Sequence, residues 1–260
     1  MAADETAADA AVDLMRRLSP ARVSEHLQVA IDCNPELTEE LLARVDQPLR
    51  VGRDAKANMR EYLLCDYNRD GDSFRSPWSN CYDPPLEDGA VPSDALRALE
   101  VGFNEVFDAY RQQYYEGGVS SAYFWDTDEG FAGCFLIKKV AATGAEVEGG
   151  SWDVVHVIEA DKGVKAEPGT AVHYKLTTTV LLTLHPTLPK PASVSLCGNL
   201  TKQSEATVPL APGPKGHVVA MGKLVEAMES RVRDTLQQVY FGKVKAARAA
   251  AARPRTRAPD

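Results

Sequence analysis

The sequence predicts an α+β fold: an N-terminal short-helix bundle, a central loop-rich region, and an antiparallel β-sheet covered by one long C-terminal helix. Three observations predict it. Apolar residues recur at three-and-four spacing in the first 45 residues, over 93–114 and over 217–240. Between the last two stretches the period drops to two, as in strands with one buried face. The linkers there, such as Thr127 to Gly130, have the length of antiparallel hairpins.

Three short helices open the chain. The first runs through Val12, Leu14, Met15 and Leu18. The second starts at Ser19-Pro20, with serine as N-cap and proline at the first helical position. The third repeats that device at Asn34-Pro35 and carries Leu37, Leu41, Leu42 and Val45. Helices this short are marginal alone and must pack on one another. From Cys65 to Ala90 the residues Gly71, Pro77, Pro84, Pro85 and Gly89 punctuate the chain too often for a helix or strand. Long ordered loops in compact domains are usually functional or packed against a partner. A fourth helix begins at Ser93, presents Leu96, Leu99, Phe103, Val106, Tyr110 and Tyr114, and stops at Gly117-Gly118. Strands are expected at about 119–126, 131–139, 151–159, 171–184 and 193–200. In the fourth, Val172, Tyr174, Leu176, Thr178, Val180, Leu182 and Leu184 alternate with His173, Lys175, Thr177, Thr179 and Thr183. The last helix, His217 to Tyr240, is roughly 35 Å long at 1.5 Å per residue. Its stripe is Val218, Met221, Val225, Met228, Val232, Leu236 and Val239, and its polar face carries Glu226, Glu229, Arg231, Arg233 and Asp234. The segments are thus a helical bundle (1–50), a signature loop with the fourth helix (51–118), a sheet (119–216), the long helix (217–242) and a basic arm (243–260).

Composition narrows the class. With 44% apolar and 25% charged residues, the chain reads as a soluble globular protein. No apolar run approaches the roughly 20 residues that span a bilayer. The acidic start MAADETAADAA lacks the basic and apolar regions of a secretory signal. Cys33, Cys65, Cys81, Cys134 and Cys197 are an odd set without CxxC spacing, and read as reduced thiols of a cytosolic protein. The net charge of −8 divides into +5 over residues 243–260 and −13 elsewhere. So acidic a body is a poor partner for nucleic acid.

Several chemistries can be tested on residue types alone. Asp66, Asn68, Asp70 and Gly71 fit positions one, three, five and six of an EF-hand calcium loop. Position twelve, which needs a bidentate glutamate, is Pro77, and position nine is Phe74. A metal-dependent hydrolase using Asp66, Asp70 and Asp72 would need a phosphate cradle or a partner base, and no P-loop occurs. The five histidines show no HxxxH or HxH spacing, and no GxSxG elbow is present. Trp125 and Trp152, within strands, read as core residues. The remaining reading is structural: in the loop formed around Asp66, Asn68, Arg69, Asp70, Arg75 and Trp78, the acids cap turns and pair with Arg69 and Arg75. No metal and no cofactor is expected, and nothing specifies an enzymatic reaction.

The same loop carries a family resemblance. CDYNRDGDSFRSPWSN, followed by YDPPLEDGA, resembles the signature region of the beta subunit of F-actin capping protein, the CapZ-type barbed-end cap. DLMRRL (13–18), DQPL (46–49), EGGVSSAYFWD (116–126), GFAGCFLIKK (130–139), HYKLT (173–177) and YFGK (240–243) fit that family in order. Together these motifs span about residues 8 to 243. The resemblance implies a cytoplasmic, cytoskeletal, non-enzymatic subunit in an obligate heterodimer with a structurally similar alpha subunit. The two sheets would join into one beneath crossed helices. The implied action is steric and calcium-independent: the dimer covers the barbed end of an actin filament so that no monomer adds or leaves. Phosphoinositides and capping-protein regulators are implied partners. The segment EAMESRVRDTL resembles the part of the long helix whose basic residues face actin and phosphoinositides, which singles out Arg233 with Arg231 beside it. Lys202, in NLTKQ, falls at another basic, actin-facing position. Family members continue past YFGK into an amphipathic tentacle. Here the chain reads VKAARAAAARPRTRAPD, with Val244 its only large aliphatic residue. Lys243, Lys245, Arg248 and Arg253 therefore form a short basic arm in its place. That departure keeps a second reading open, a structural subunit of a dynactin-like or axonemal assembly with weakened actin capping.

Overall fold

The computed structural model describes residues 2–141, 147–186, 196–212 and 215–236. Helices α1 (Ala2–Arg17), α2 (Val23–Cys33) and α3 (Thr38–Arg44) form the N-terminal bundle. Pro20 and Pro35 each open a short 3-10 turn, and Ser19 and Asn34 sit at the N-caps without a side-chain cap bond. The bundle has its own small core, in which Ala8, Val12 and Met15 meet Val23, Leu27, Leu37, Leu41 and Val45. Leu14, expected on that face, is 54% exposed. At 100° per residue it lies on the far side of the helix from Val12.

Two features of the central region were not legible. Residues expected to lead straight into loop form a hairpin, β1 (Arg50–Asp54) and β2 (Arg60–Leu64). Within the signature loop itself, three very short strands, β3 (Arg69–Asp70), β4 (Ser73–Arg75) and β5 (Tyr82–Asp83), pair antiparallel. Strands of two or three residues fit between the glycines and prolines that exclude longer ones.

Helix α4 (Asp94–Tyr115) buries Leu96, Leu99, Phe103, Phe107 and Tyr115. The expected Val106 and Tyr114 are instead 47% and 43% exposed, so the stripe is turned by one residue over its second half. The helix ends where Glu116, Gly117 and Gly118 take φ of 50°, 115° and 84°. A Cβ at Gly118 would meet the Lys138 carbonyl at 2.5 Å, so only glycine fits this entry to the sheet.

The sheet is a five-stranded antiparallel meander of β6 (Val119–Asp126), β7 (Phe131–Val140), β8 (Val147–Ala160), β9 (Ala171–Pro186) and β10 (Leu196–Pro209). The last strand continues nine residues past its predicted end. Its second half, Thr201 to Pro209, is polar and alternates exposed with half-buried positions. That pattern suits a strand that, among the described residues, pairs with β9 alone. Residues 193–195 lie outside the described residues.

Helix α5 (Gly216–Leu236) lies on one sheet face with α4. Its Val218, Met221, Val225, Met228, Val232 and Leu236 enter the main core with Phe124, Phe135, Ile137, Val154, Ile158 and Val180. Val239 and Tyr240 lie outside the described residues. On the opposite face, Leu49 and Leu63 cover Tyr123, Cys134, Leu136 and Val155. Trp125 packs against that second cluster, half-buried, and stacks on Tyr67 at 5.4 Å. Among the described residues no helix is long and apolar enough to cross a membrane.

Candidate functional site

Two sets of residues were singled out by sequence, and they sit in different places. The signature loop is braced from within. Asn68, almost fully buried, accepts the Cys65 amide through Oδ1 (2.9 Å) and donates from Nδ2 to the carbonyls of Leu63 (3.3 Å) and Arg75 (2.8 Å). Arg69 donates from Nε to the Gly71 carbonyl (2.7 Å) and lies 3.8 Å from Asp66. Asp70 accepts the Ala90 amide at 3.4 Å, which ties the two ends of the loop. Trp78 donates from Nε1 to the Glu61 carbonyl (2.9 Å), and the Arg60 guanidinium stacks 3.4 Å from its ring centroid.

Arg75 corrects the sequence reading. Its partner is not a loop acid but Glu100 of α4, met through two parallel bonds of 2.8 Å, and both side chains are almost wholly buried. Arg75 also donates to Asn80 Oδ1 (2.7 Å). Glu100 in turn accepts the Phe124 amide (2.9 Å) and bonds Arg97. One turn on, Asn104 bonds both the amide and the carbonyl of Ala122, at 2.8 Å each, clamping α4 to β6. Neither Glu100 nor Asn104 was picked out by sequence. The signal was present: both sit at three-and-four spacing inside the Leu96–Phe107 stripe, where a solvated polar residue has no place. Asp54, at the end of β1, takes the amides of Lys56, Ala57 and Ser79 and the Ser76 hydroxyl. Burial pushes its carboxyl up, but these bonds outweigh burial and hold it below its ordinary value.

The second set surrounds the C-terminal turns of α5. Glu229, expected on the polar face, is 3% exposed and is the hub of a buried network. His156 of β8 contacts it at 3.0 Å through Nε2, while its Nδ1 meets Thr178 Oγ1 at 2.8 Å. Tyr115 donates to Glu229 at 2.6 Å, Tyr110 at 3.1 Å and Arg233 at 3.1 Å. Burial alone would raise the Glu229 carboxyl, yet His156, Tyr115 and Arg233 together hold it below its ordinary value. Burial, then the neighbouring carboxylate, drives the Tyr115 phenol strongly upward.

The three predicted basic residues do not form one cluster. Lys202 of β10 donates to Thr235 Oγ1 (2.8 Å), and Thr235 donates to the Arg231 carbonyl (2.8 Å), so Lys202 and Arg231 share one side of the helix. Arg231 is exposed. Arg233, two residues on, is turned about 200° away. It packs toward α4, its guanidinium 4.5 Å from the Tyr115 ring centroid. Lys243, Lys245, Arg248 and Arg253 lie outside the described residues. Among the described residues, no group of three or more His, Cys, Asp or Glu is placed to hold a metal ion.

Polar groups are thus buried in contacts that fix one element on another, Arg75 and Glu100 between the loop and α4 and Glu229 between α5, α4 and β8. A family model described as F-actin capping protein, beta subunit, matches residues 8–247. F-actin-capping protein subunit beta of Aspergillus oryzae is 52% identical over 237 residues, covering 91% of this chain and 86% of that one. The protein of the same name from Drosophila melanogaster is 49% identical over 237 residues, covering 91% and 84%. The homodimeric actin capping protein alpha subunit from Plasmodium berghei superposes with a TM-score of 0.54, covering 94% of this chain and 96% of that one. At 13% identity that likeness shows a shared fold. The chain belongs to the F-actin capping protein beta-subunit family.

Proposed function

We propose that this chain is the beta subunit of a heterodimeric capping protein that closes the barbed end of actin filaments sterically and independently of calcium. Family membership over residues 8–247 carries the reading. Strand β10 supports it, because among the described residues it pairs on one side only and leaves an edge of the kind a partner strand completes. A subunit of the same fold is the natural complement, and an alpha subunit is that partner. The action needs no bond-making chemistry: a body seated across the terminal subunits excludes the next monomer by volume. Lys202 and Arg231 on one side of α5, Arg233 on the other, and the basic arm with Lys243, Lys245, Arg248 and Arg253 are the groups that would meet actin or phosphoinositide. The setting is the cytoplasmic cytoskeleton.

The test is coexpression with an alpha subunit, followed by elongation of actin from seeds with free barbed ends. The pair should copurify, and elongation should cease once the complex matches the number of filament ends, with or without calcium. A stable folded monomer on sedimentation would overturn the pairing. A heterodimer that leaves elongation untouched, and copurifies from extract with an actin-related protein instead, would favour a dynactin-like or axonemal role.

A further inference from the structure

The sheet has two edges, and the fold treats them differently. Among the described residues β10 pairs with β9 alone and β6 with β7 alone. By composition β6 is the more prone to pair wrongly: Val119 to Trp125 is seven residues without a charge, a glycine or a proline. Yet the backbone groups that point away from β7 are engaged at Gly118, Ala122 and Phe124, which share one parity along the strand. Glu100 accepts the Phe124 amide (2.9 Å). Asn104 accepts the Ala122 amide and donates to the Ala122 carbonyl, at 2.8 Å each, and Arg111 donates to the Gly118 carbonyl (2.9 Å). At the far end Asp126 accepts the Ser93 amide (3.1 Å) and hydroxyl (3.0 Å). Ser93, Glu100, Asn104 and Arg111 are seven, four and seven residues apart. At 100° per residue they lie within about 40° of one another around α4. The lengths agree as well. The helix rises about 27 Å from Ser93 to Arg111, and β6 spans about 26 Å from Gly118 to Asp126. Helix α4 therefore runs antiparallel to β6 and meets it along nearly its whole length, held over the sheet by Phe103, which stacks on Phe135 at 4.1 Å.

We propose that α4 is an edge guard: the row Ser93, Glu100, Asn104 and Arg111 stands in for a missing strand beside β6 and bars that edge to a second copy of this chain. A strand paired on one side offers its free amides and carbonyls to any other strand. Two uncharged β6 edges are self-complementary and would meet about a two-fold axis, one Ala122 opposite the other. Here those groups already hold side chains. Glu100 and Asn104 are buried, so a newcomer would have to break their bonds and leave their polar atoms without partners. Extension of the sheet is thereby confined to β10, which limits each chain to one partner. That last step rests on the reading that an alpha subunit joins at β10; the guard itself does not.

The test compares the full chain, in the complex in which it is purified, with its Asn104→Leu variant, which keeps the side-chain volume and removes both bonds to Ala122. Amide hydrogen exchange resolved to single residues should show Ala122 and Phe124 of the parent as slow as the amides of β7, which lies between two strands. In Asn104→Leu the Ala122 amide should exchange roughly tenfold faster, the loss of about one hydrogen bond. Phe124, still bound to Glu100, should keep its rate. In sedimentation the variant complex should double as concentration rises, and the parent complex should not. Fast exchange of Ala122 in the parent would overturn the guard. An equal rise at every sheet amide would also count against it, since Asn104 would then serve stability alone. A variant complex that never doubles although Ala122 is freed would show that the bonds bar nothing. If Asn104→Leu does not fold, Asn104→Ala carries the same expectations. Failure of an alpha subunit to copurify with the parent chain would strike the β10 reading and leave the exchange result standing.

Discussion

At the scale of single residues, the strongest commitments are buried charges that no surface reading would place. Arg75 and Glu100 face each other inside the fold, and each is worth little unless the other is present. Loss of Arg75 would leave Glu100 with Arg97 and the Phe124 amide but without its two parallel bonds, and breaking a buried pair costs about 3–5 kcal/mol. Arg75→Ala should therefore lower the unfolding free energy of the complex by about that amount in a denaturant titration. Arg75→Lys should recover only part of it, since an ammonium cannot reproduce the two parallel bonds to Glu100. A loss below about 1 kcal/mol for Arg75→Ala, the scale of an exposed pair, would show that the pair is solvated. Glu229 makes a prediction about acid. Its folded carboxyl lies below the ordinary value of 4.5, so its contribution is complete above that pH and is lost as pH falls through the lower folded value. Melting temperature measured from about pH 6 down to pH 3 should fall less steeply for Glu229→Gln, which starts lower, than for the parent chain. Parallel curves would mean that Glu229 titrates alike in the folded and unfolded chain.

At the scale of elements, legibility followed the hydrophobic period. Strand β9 was readable because Val172 to Val180 alternate, before the apolar run Val180-Leu181-Leu182, and α5 because its stripe from Val218 to Leu236 is unbroken. Strand β10 was cut short because Thr201 to Pro209 is polar, and a sheet edge needs no second apolar face. The β1–β2 hairpin was missed because Gly52, Arg53 and Asp54 offer no alternation. The second half of α4 was misturned because the buried positions there include Arg111, whose head reaches the Gly118 carbonyl and Asp108. A helix stripe that mixes Phe107 with Arg111 is invisible to a count of apolar residues. In the signature loop, Arg75 was expected to pair within the loop, while its acid lies 25 residues on, on a helix. The loop's own prediction concerns calcium. Asp70 already accepts a backbone amide, Asp66 lies beside Arg69, and Pro77 supplies no ligand at the position that closes a calcium loop. Calcium added to the millimolar range should leave the melting temperature unchanged, since a specific ligand raises it by mass action. An upward shift that saturates would mean the acids rearrange around the ion.

At the scale of the whole molecule, the question is what presents this body to a filament. Burying apolar surface gains roughly 25 cal/mol per Å², and residues 244–260 hold one valine, seven alanines, two prolines and a threonine beside their charges. A segment of that composition has little apolar area to bury, so any contribution it makes to capping is expected to be mainly electrostatic. Exposed charges are screened beyond about 8 Å at physiological salt. The basic residues proposed to meet the filament sit in two different settings. Arg231 is exposed on the side of α5 where Lys202 meets Thr235, whereas Arg233 is bound into the Glu229 network. Arg231→Glu should therefore weaken capping without moving the melting temperature, while Arg233→Ala should lower both, because it strips a donor from a buried carboxylate. Deleting 244–260 should weaken capping modestly in a seeded elongation assay, and the loss should shrink as salt is raised, the signature of screened charge. Should the deletion abolish capping equally at low and high salt, the arm would be making apolar contacts through its alanine face, and the weight assigned to Lys202, Arg231 and Arg233 would have to move to it.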